Sequence, residues 1–301
     1  MKVAIVLALA VLGCTDDEPS ADPYKCMAAG GGGCFEMPTQ PIAAADATGA
    51  AVTPNLACGA YPVSTSAVPV MLSGYTINAR TMALTPGVHV EVFSDVALTN
   101  RIGETTSSDT GGYSLAIAAM PSLVHLRTRG VGLVPLQLVH QRVDVSVSDH
   151  GDHLLHVASR EDLAATLESV GDLFLPGKTQ LAGVALDCDG NRLVHAIANV
   201  APASAANGSR LFEDGVKVYY ARESDAAALD RRTRLHQTTS SGGFAATNLA
   251  PGRHFVQVWG FPSESALAMG SIALELLGEV EVLAPAEESG VAVSVYGRAS
   301  D

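Results

Sequence analysis

Three histidines at intervals of three residues form the group in this sequence that most resembles a metal site. His150, His153 and His156 have carboxylates beside and between them in the segment 149–156. In a helix or a tight turn, such side chains could bind a divalent cation. Gly151 breaks a helix, however, and in a strand His153 would face away from the other two. We therefore predict a polar turn here, and keep the three histidines as candidate metal ligands or as a pH-sensitive patch.

The sequence lacks the motifs that zinc peptidases, serine hydrolases and iron dioxygenases require. It contains no His-x-x-Glu, no His-Glu-x-x-His, no Gly-x-Ser-x-Gly and no His-x-His. The first two would supply zinc ligands and the third a nucleophile elbow. Asp187 to Gly190 could begin a calcium loop, but the further oxygen ligands and the terminal glutamate do not follow, so a plain turn is predicted. We expect no enzyme activity, no bound metal and no cofactor.

Aromatic rings and basic stripes, which bind glycans and nucleic acids, are both scarce. Aromatic residues make up 5% of the chain, and Trp259 and Tyr219 are the candidate ligand-binding rings. Because Trp259 falls on an expected core strand, we expect its burial rather than its exposure. The net charge is −13 and no basic stripe is present, which argues against a nucleic-acid partner.

The N-terminus carries the pattern of an exported, lipid-anchored protein. After Met1-Lys2, the run Val3 to Leu12 is apolar and too short to span a bilayer, which needs about 20 residues. It has the length of a signal-peptide core. The run ends in Val11-Leu12-Gly13-Cys14, which resembles the bacterial lipobox. That resemblance implies a signal peptide over 1–13, acylation of Cys14, and a cell-envelope protein whose lipid anchor binds a membrane, with the outer membrane as the expected one.

The cysteine count agrees with this interpretation, because five is an odd number for an exported chain. Acylation of Cys14 would leave Cys26, Cys34, Cys58 and Cys188 as disulfide candidates. Four thiols in an oxidising compartment can form two disulfides in three connectivities. No Cys-x-x-Cys pair occurs, so a zinc site is the less favoured alternative.

Along the chain, the pattern changes from a leader to short strands. Hydrophobic residues are 48% and charged residues 16% of the 301, which indicates a globular chain of about two domains. We predict a tether and Cys/Gly/Pro-rich leader over 14–67, a β-sandwich domain over 68–158, a helical linker over 159–177, and a second β-sandwich over 178–301. The linker begins with a Ser and an Asp three residues apart, which is typical of a capping box.

The second domain repeats the first, and this repeat predicts the fold. The matched pairs are 105–115 with 238–246, 121–130 with 251–260, 88–92 with 216–220, and the final strands 143–147 with 291–295. In the first pair, a Gly-Gly supplies the positive φ of a tight hairpin, and Tyr113 or Phe244 begins the return strand. We predict an all-β protein of two tandem antiparallel β-sandwiches, prealbumin- or Ig-like, joined by the short helix.

Three segments of the second copy resemble carboxypeptidase-regulatory-like domains. They are 181–190, 239–244 and 248–258, although Ala250 and His254 replace a proline and a tyrosine of the family pattern. The resemblance implies prealbumin-like sandwiches that act as non-catalytic modules of bacterial surface lipoproteins. It favours a structural, adhesive or scaffolding role through contacts with an envelope protein or glycan. A polysaccharide-binding module, or an accessory subunit of a surface hydrolase or transport complex, stays open as an alternative.

Overall fold

The computed structural model describes residues 38–57, 65–203, 216–223, 229–230, 237–286 and 289–296. Their regular structure is almost entirely β. The elements are β1 (Ala43–Ala45), β2 (Ala51–Val52), β3 (Val70–Asn78), β4 (His89–Phe93), β5 (Arg101–Thr106), β6 (Gly112–Ile117), β7 (Leu123–Arg129), β8 (Leu136–Arg142), β9 (Asp149–Val157), α1 (Arg160–Ser169), β10 (Thr179–Leu186), β11 (Arg192–Val194), β12 (Ile197–Pro202), β13 (Lys217–Tyr220), β14 (Gly243–Leu249), β15 (Gly252–Gly260), α2 (Glu264–Met269), a 3-10 turn (Gly270–Ala273), β16 (Glu275–Ala284) and β17 (Ser289–Tyr296). The predicted all-β fold with a short helix is confirmed.

Each half of the chain forms one sandwich of two sheets. In the first, the strands β5-β4-β7-β8 face the sheet β6-β3-β9, and side chains of both sheets share one hydrophobic core. In the second, β14-β10-β17, extended by β13 and β11, face β12-β15-β16 around another core. Alternation of apolar and polar residues along these strands directs every second side chain into a core, as in other sandwiches.

The two sandwiches repeat each other in strand order, except that β5 pairs with β4 whereas its counterpart β13 pairs with β14. β7 and β15 correspond, which bears out the matched pair 121–130 with 251–260, and both lie in the middle of a three-strand run. The matched pair 88–92 with 216–220 is wrong, because β4 corresponds to β12 whereas β13 pairs with β14 at a sheet edge. Both segments have the pattern of short polar–apolar strands, and only the pairing distinguishes them.

The Gly-Gly turns occur where they were predicted, but the first is not a hairpin between paired strands. β5 pairs with β4 and β6 pairs with β3, so this turn carries the chain from one sheet to the other. In each pair it is the first glycine that has positive φ, 76° at Gly111 and 64° at Gly242. The second glycine starts the return strand, β6 or β14, and the next residue, Tyr113 or Phe244, is buried in its core. The turn therefore needs a glycine at its first position.

The last strand of each sandwich lies parallel to the first one, so the sandwiches are not purely antiparallel as predicted. β9 pairs with β3 and β17 pairs with β10 in parallel. The chain crosses between the two sheets before each last strand, and it therefore arrives beside the first strand in the same direction.

The last strand of the first sandwich was predicted one segment too early. Residues 143–147 form a turn, in which the Asp144 carboxylate accepts hydrogen bonds from the backbone and hydroxyl of Ser146. Asp and Ser side chains that bond to nearby backbone favour turns over strands, despite the Val-x-Val alternation. The true strand is β9, which covers the histidine segment that was predicted to be a turn.

The leader was predicted to lie outside both domains, but its described residues pair with the sandwiches: those of 38–57 with the second, and Thr65 and Ser66 with the first. β1 pairs with β11, and Ile42 is buried in the second core. The Ile42 amide also donates a hydrogen bond of 2.8 Å to the carbonyl of Phe261. The first sandwich is thus inserted between the leader strands and the remainder of the second sandwich.

Candidate functional site

One sheet runs through both sandwiches, because the last strand of the second pairs with a strand of the first. In β17, Gly290 to Val293 lie in parallel register with Leu136 to Val139 of β8, and the Gly290 amide donates to the Pro135 carbonyl at 2.9 Å. The resulting order is β2-β1-β11-β10-β17-β8-β7-β4-β5. This seam between β8 and β17 makes a backbone connection between two domains that the sequence predicted as separate.

Side chains at the seam pack into the core of the other sandwich. Val139 of the first sandwich is fully buried in the core of the second, where its register partner Val293 also lies. On the opposite face, Ala292 packs against the core of the first sandwich. The two sandwiches therefore cover opposite faces of the shared sheet, and each stabilises the other by burial of apolar surface.

The linker helix is bonded to both sandwiches. Its N-cap is Ser159, with the predicted capping box to Asp162, whose carboxylate also accepts a 2.7 Å hydrogen bond from Asn78. Beyond its C-terminus, the buried Asp172 carboxylate accepts hydrogen bonds from Thr247 at 2.7 Å and from Tyr219 at 3.2 Å. The linker thus holds the two domains together rather than separating them.

The predicted glycan-binding rings are used inside the protein. Trp259 is 6% and Tyr219 is 7% exposed. The Trp259 indole N–H donates to Gln257, and the Tyr219 hydroxyl donates to Asp172. Burial and the neighbouring Asp172 charge raise the pKa of Tyr219 well above its ordinary value. Neither residue offers a flat ring face to a sugar.

Of the cysteines, Cys188 lies among the described residues, in the turn between β10 and β11, and it is disulfide-bonded. Cys14, Cys26, Cys34 and Cys58 lie outside the described residues, as does the predicted signal peptide. No helix among the described residues is long and apolar enough to cross a membrane.

The Cys188 turn is fastened to the leader. Asn55 donates its amide to Asp187 and its side chain to Asp189, both at 3.1 Å, and it accepts from the Cys188 amide at 2.9 Å. Asp187 is fully buried and also accepts from the backbone of Asn191 at 2.8 Å. The plain turn that the sequence predicted is borne out, and its carboxylates bind protein groups.

The three candidate histidine ligands all lie on β9, where a bulge changes their spacing. Leu72 of β3 pairs with His150, and Gly74 pairs with His153. The one residue between Leu72 and Gly74 therefore lies opposite the two residues between these histidines, which is a β-bulge. The bulge brings the His150 and His153 rings to a centroid distance of 5.9 Å. His156 lies beyond it, and the three do not form a group of ligand atoms within 4.8 Å among the described side chains.

A charged cluster that the sequence did not reveal covers the outer face of β5, β4 and β7. At its centre the nearly buried Glu91 carboxylate bonds Arg127 at 2.7 and 3.0 Å, Arg129 at 3.3 Å and Arg101 at 3.4 Å. Arg101 also pairs with Glu104. Glu91 lies opposite Arg127 on one side and Glu104 on the other, so strand register alone brings these groups together.

The arginines determine the charge state of Glu91. Burial raises the pKa of this carboxyl group, but the hydrogen bond from Arg127 and the charges of Arg127 and Arg129 outweigh that effect, so the pKa lies below its ordinary value. The guanidinium of Arg127 is itself fixed, because it stacks over the Phe93 ring at 5.0 Å. Glu91 is therefore ionised at neutral pH and holds three cationic side chains in place.

The same face contains a set of potential metal ligands. Atoms of His89, Glu91 and Glu104 lie within 4.8 Å of one another. Both carboxylates, however, are already paired with arginine, and three guanidinium charges exceed the two carboxylate charges. A divalent cation would be repelled by this surplus and would have to displace Arg101. The cluster therefore suits anions better than metals.

Comparisons with known proteins do not assign the chain to a family. No family model and no curated protein matches it. Among solved structures, it is similar to the TIE protein of Bacillus anthracis, with 9% identity and a TM-score of 0.22 over 77% of this chain, and it spans about a third of that chain (34%). The shaft pilin SpaA of Lactobacillus rhamnosus GG has 9% identity and a TM-score of 0.22, over 79% of this chain and 100% of that one. A streptococcal ancillary pilin has 10% identity and a TM-score of 0.21, over 76% of this chain and 69% of that one. Likeness at this level carries no argument, and this chain's own residues remain the basis for its function.

Proposed function

We propose that this chain is a non-catalytic lipoprotein of the cell envelope, with a structural or adhesive role. Its acylated Cys14 would bind the membrane, and the two sandwiches would form a rigid unit that contacts an envelope protein or glycan. The observation that carries the proposal is the seam, because a shared sheet and interlocked cores suit a spacer that must keep its shape. The resemblance of the second sandwich to carboxypeptidase-regulatory-like modules supports the same role.

The chemistry of the described side chains also supports a non-catalytic role. The buried carboxylates of Glu91, Asp172 and Asp187 are occupied by arginine, hydroxyl or backbone partners. Catalytic acids and bases need a group that is free to exchange a proton with a substrate. These three instead act as internal hydrogen-bond acceptors that fix one sheet face, the linker and the leader.

Lipid anchoring is tested by Cys14→Ser. We expect the protein to move from the membrane fraction to the soluble exported fraction, because the acyl chains would be its attachment. The measurement is immunoblotting of fractionated cells. Cys188→Ser is the matched control, since it removes a cysteine outside the lipobox and should stay with the membrane. A Cys14→Ser protein that still sediments with membranes would refute the anchor.

We further propose that Cys188 pairs with Cys58, and that Cys26 pairs with Cys34. Cys58 follows Asn55 by three residues, which span at most about 11 Å, and Asn55 is hydrogen-bonded to Cys188. Cys26 and Cys34 are much farther from Asn55 along the chain. These pairings would close the leader onto the second sandwich.

Peptide mapping under non-reducing conditions tests this connectivity. We expect one disulfide-linked pair of peptides containing Cys58 and Cys188, another containing Cys26 and Cys34, and essentially no free thiol. Both linked species should disappear after reduction and alkylation. A peptide joining Cys188 to Cys26 or Cys34 would contradict the pairing.

A further inference from the structure

We propose that the outer face of β5, β4 and β7 is a docking surface for an anionic polysaccharide. We call it the arginine face, defined by His89, Arg101, Arg127 and Arg129 around Glu91. The proposal deepens the proposed function, since it names the chemistry of the envelope partner, and it rests on that function for the partner's location.

The first argument is a local reversal of charge. The chain has 31 acidic and 18 basic residues, and a net charge of −13. On the arginine face, three guanidinium groups meet two carboxylates, Glu91 and Glu104, which leaves one positive charge in excess. A polyanion is repelled by most of this acidic chain, so a cationic face determines where it can bind.

The second argument is that the arginines are preorganised. Glu91 is 5% exposed, accepts hydrogen bonds from Arg127 and Arg101 and forms an ion pair with Arg129, whereas the side chains of Arg101 and Arg129 are 46% and 47% exposed. The bonds to carboxylates use one nitrogen of Arg101 and one of Arg129. Since a guanidinium has five N–H donors, each has further donors for a ligand. Fixed donors lose less conformational entropy on binding.

The third argument concerns the spacing of the charges. Arg127 and Arg129 lie two residues apart on β7, about 7 Å. Arg101 lies two strands away, about 10 Å across the sheet, and is level with residue 125 of β7, so it is also displaced along the strands from both arginines. Charges spread in this way over a sheet match a ligand with several anionic groups along a chain. Guanidinium groups also bind carboxylate, sulfate and phosphate oxygens through paired N–H donors.

The fourth argument separates a polysaccharide from a protein or a membrane. Within β4, β5 and β7, no large hydrophobic side chain is exposed. Protein interfaces usually have a buried apolar or aromatic centre, and peripheral membrane proteins insert apolar side chains. A face whose exposed side chains are polar and charged suits a hydrated anionic polymer better than either.

The test measures binding of the full exported chain, purified in a neutral detergent, to dextran sulfate by fluorescence anisotropy. We expect binding that weakens as salt is added, and no binding to neutral dextran. The variant Arg101→Gln/Arg129→Gln should bind about tenfold more weakly, because it removes two exposed charges but keeps the pair of Glu91 and Arg127. Arg101→Lys/Arg129→Lys keeps the charges but loses the paired N–H donors, so its affinity should lie between those of the wild type and the glutamine variant.

The matched control is Arg80→Gln/Arg253→Gln. These side chains are 58% and 59% exposed, and each is near a carboxylate outside the arginine face. The control gives the same net charge as the test variant, so its affinity should change by less than about twofold. Equal weakening by both variants, no binding to dextran sulfate, or tighter binding to polyglutamate would overturn the proposal. The assay does not involve acylation, so it can fail independently of the Cys14→Ser test.

Discussion

Gly74→Ala is expected to destabilise the first sandwich by about 3 kcal/mol, although it adds only one methyl group. A Cβ atom at Gly74 would overlap the backbone oxygen of His153 and would lie 2.6 Å from its backbone nitrogen. A side chain could rotate away from such a contact, but the backbone of β9 cannot move without breaking its pairing with β3. The bulge in β9 accounts for this close approach, because it brings the backbone of His153 toward the neighbouring strand β3.

The measurement is the free energy of unfolding in urea, and Gly151→Ala is the control. Gly151 lies on β9 at the same bulge, and the closest atom to its added Cβ is the Ser73 hydroxyl oxygen at 4.0 Å. That substitution should therefore change stability by less than about 0.5 kcal/mol. A loss at Gly74 no larger than at Gly151 would mean that the bulge does not approach β3 as described.

Val293→Asp should uncouple the two sandwiches. Val293 is 3% exposed and pairs with the fully buried Val139 across the seam, so the new carboxylate would have no water or cation to stabilise it. We expect a loss of about 4 kcal/mol, at the upper end for one substitution. The wild-type protein should unfold in one calorimetric transition because the cores interlock, and the variant should show two.

The pH dependence of this variant gives a second readout. Burial would raise the pKa of the carboxyl group introduced at position 293 above its ordinary value, since burial destabilises its charged form. The loss of stability should be full at neutral pH and should shrink as the pH falls and the carboxyl becomes protonated.

Ser294→Asp is the control for Val293→Asp, because residue 294 is partly exposed and lies beyond the residues that pair with β8. One transition in both variants would argue against a seam that couples the domains.

Features that depend on neighbouring residues were predicted well from the sequence. The Gly-Gly turns, the helix cap at Ser159 and the Asp187 turn are local, since each forms within a few residues. The Val-x-Val pattern at 143–147 failed for a local reason too. There, the hydrogen bonds that the Asp144 carboxylate accepts from Ser146 outweigh the alternation, which alone does not distinguish a strand from a turn.

Features that depend on pairing between strands far apart in the chain could not be predicted from the sequence. Nothing in the valine-rich sequence of β17 indicates that it pairs with β8 as well as β10. The short strand Ala43–Ala45 has no alternation, and its membership in the second sandwich follows from β11. The arginine face was missed for the same reason, although the alternation of Arg127 and Arg129 placed both on one side of a strand. A charged residue opposite them could be identified only from the register.

The leader strands have a mechanical consequence. Any tension applied to the N-terminal side of the chain enters the second sandwich first, through the pairing of β1 with β11 and the hydrogen bonds of Asn55 at the Cys188 turn. With a ligand held on the arginine face, the force would pass from the leader into the second sandwich and across the seam between β17 and β8 into the first. The seam would therefore lie on the load path between the anchor and the ligand.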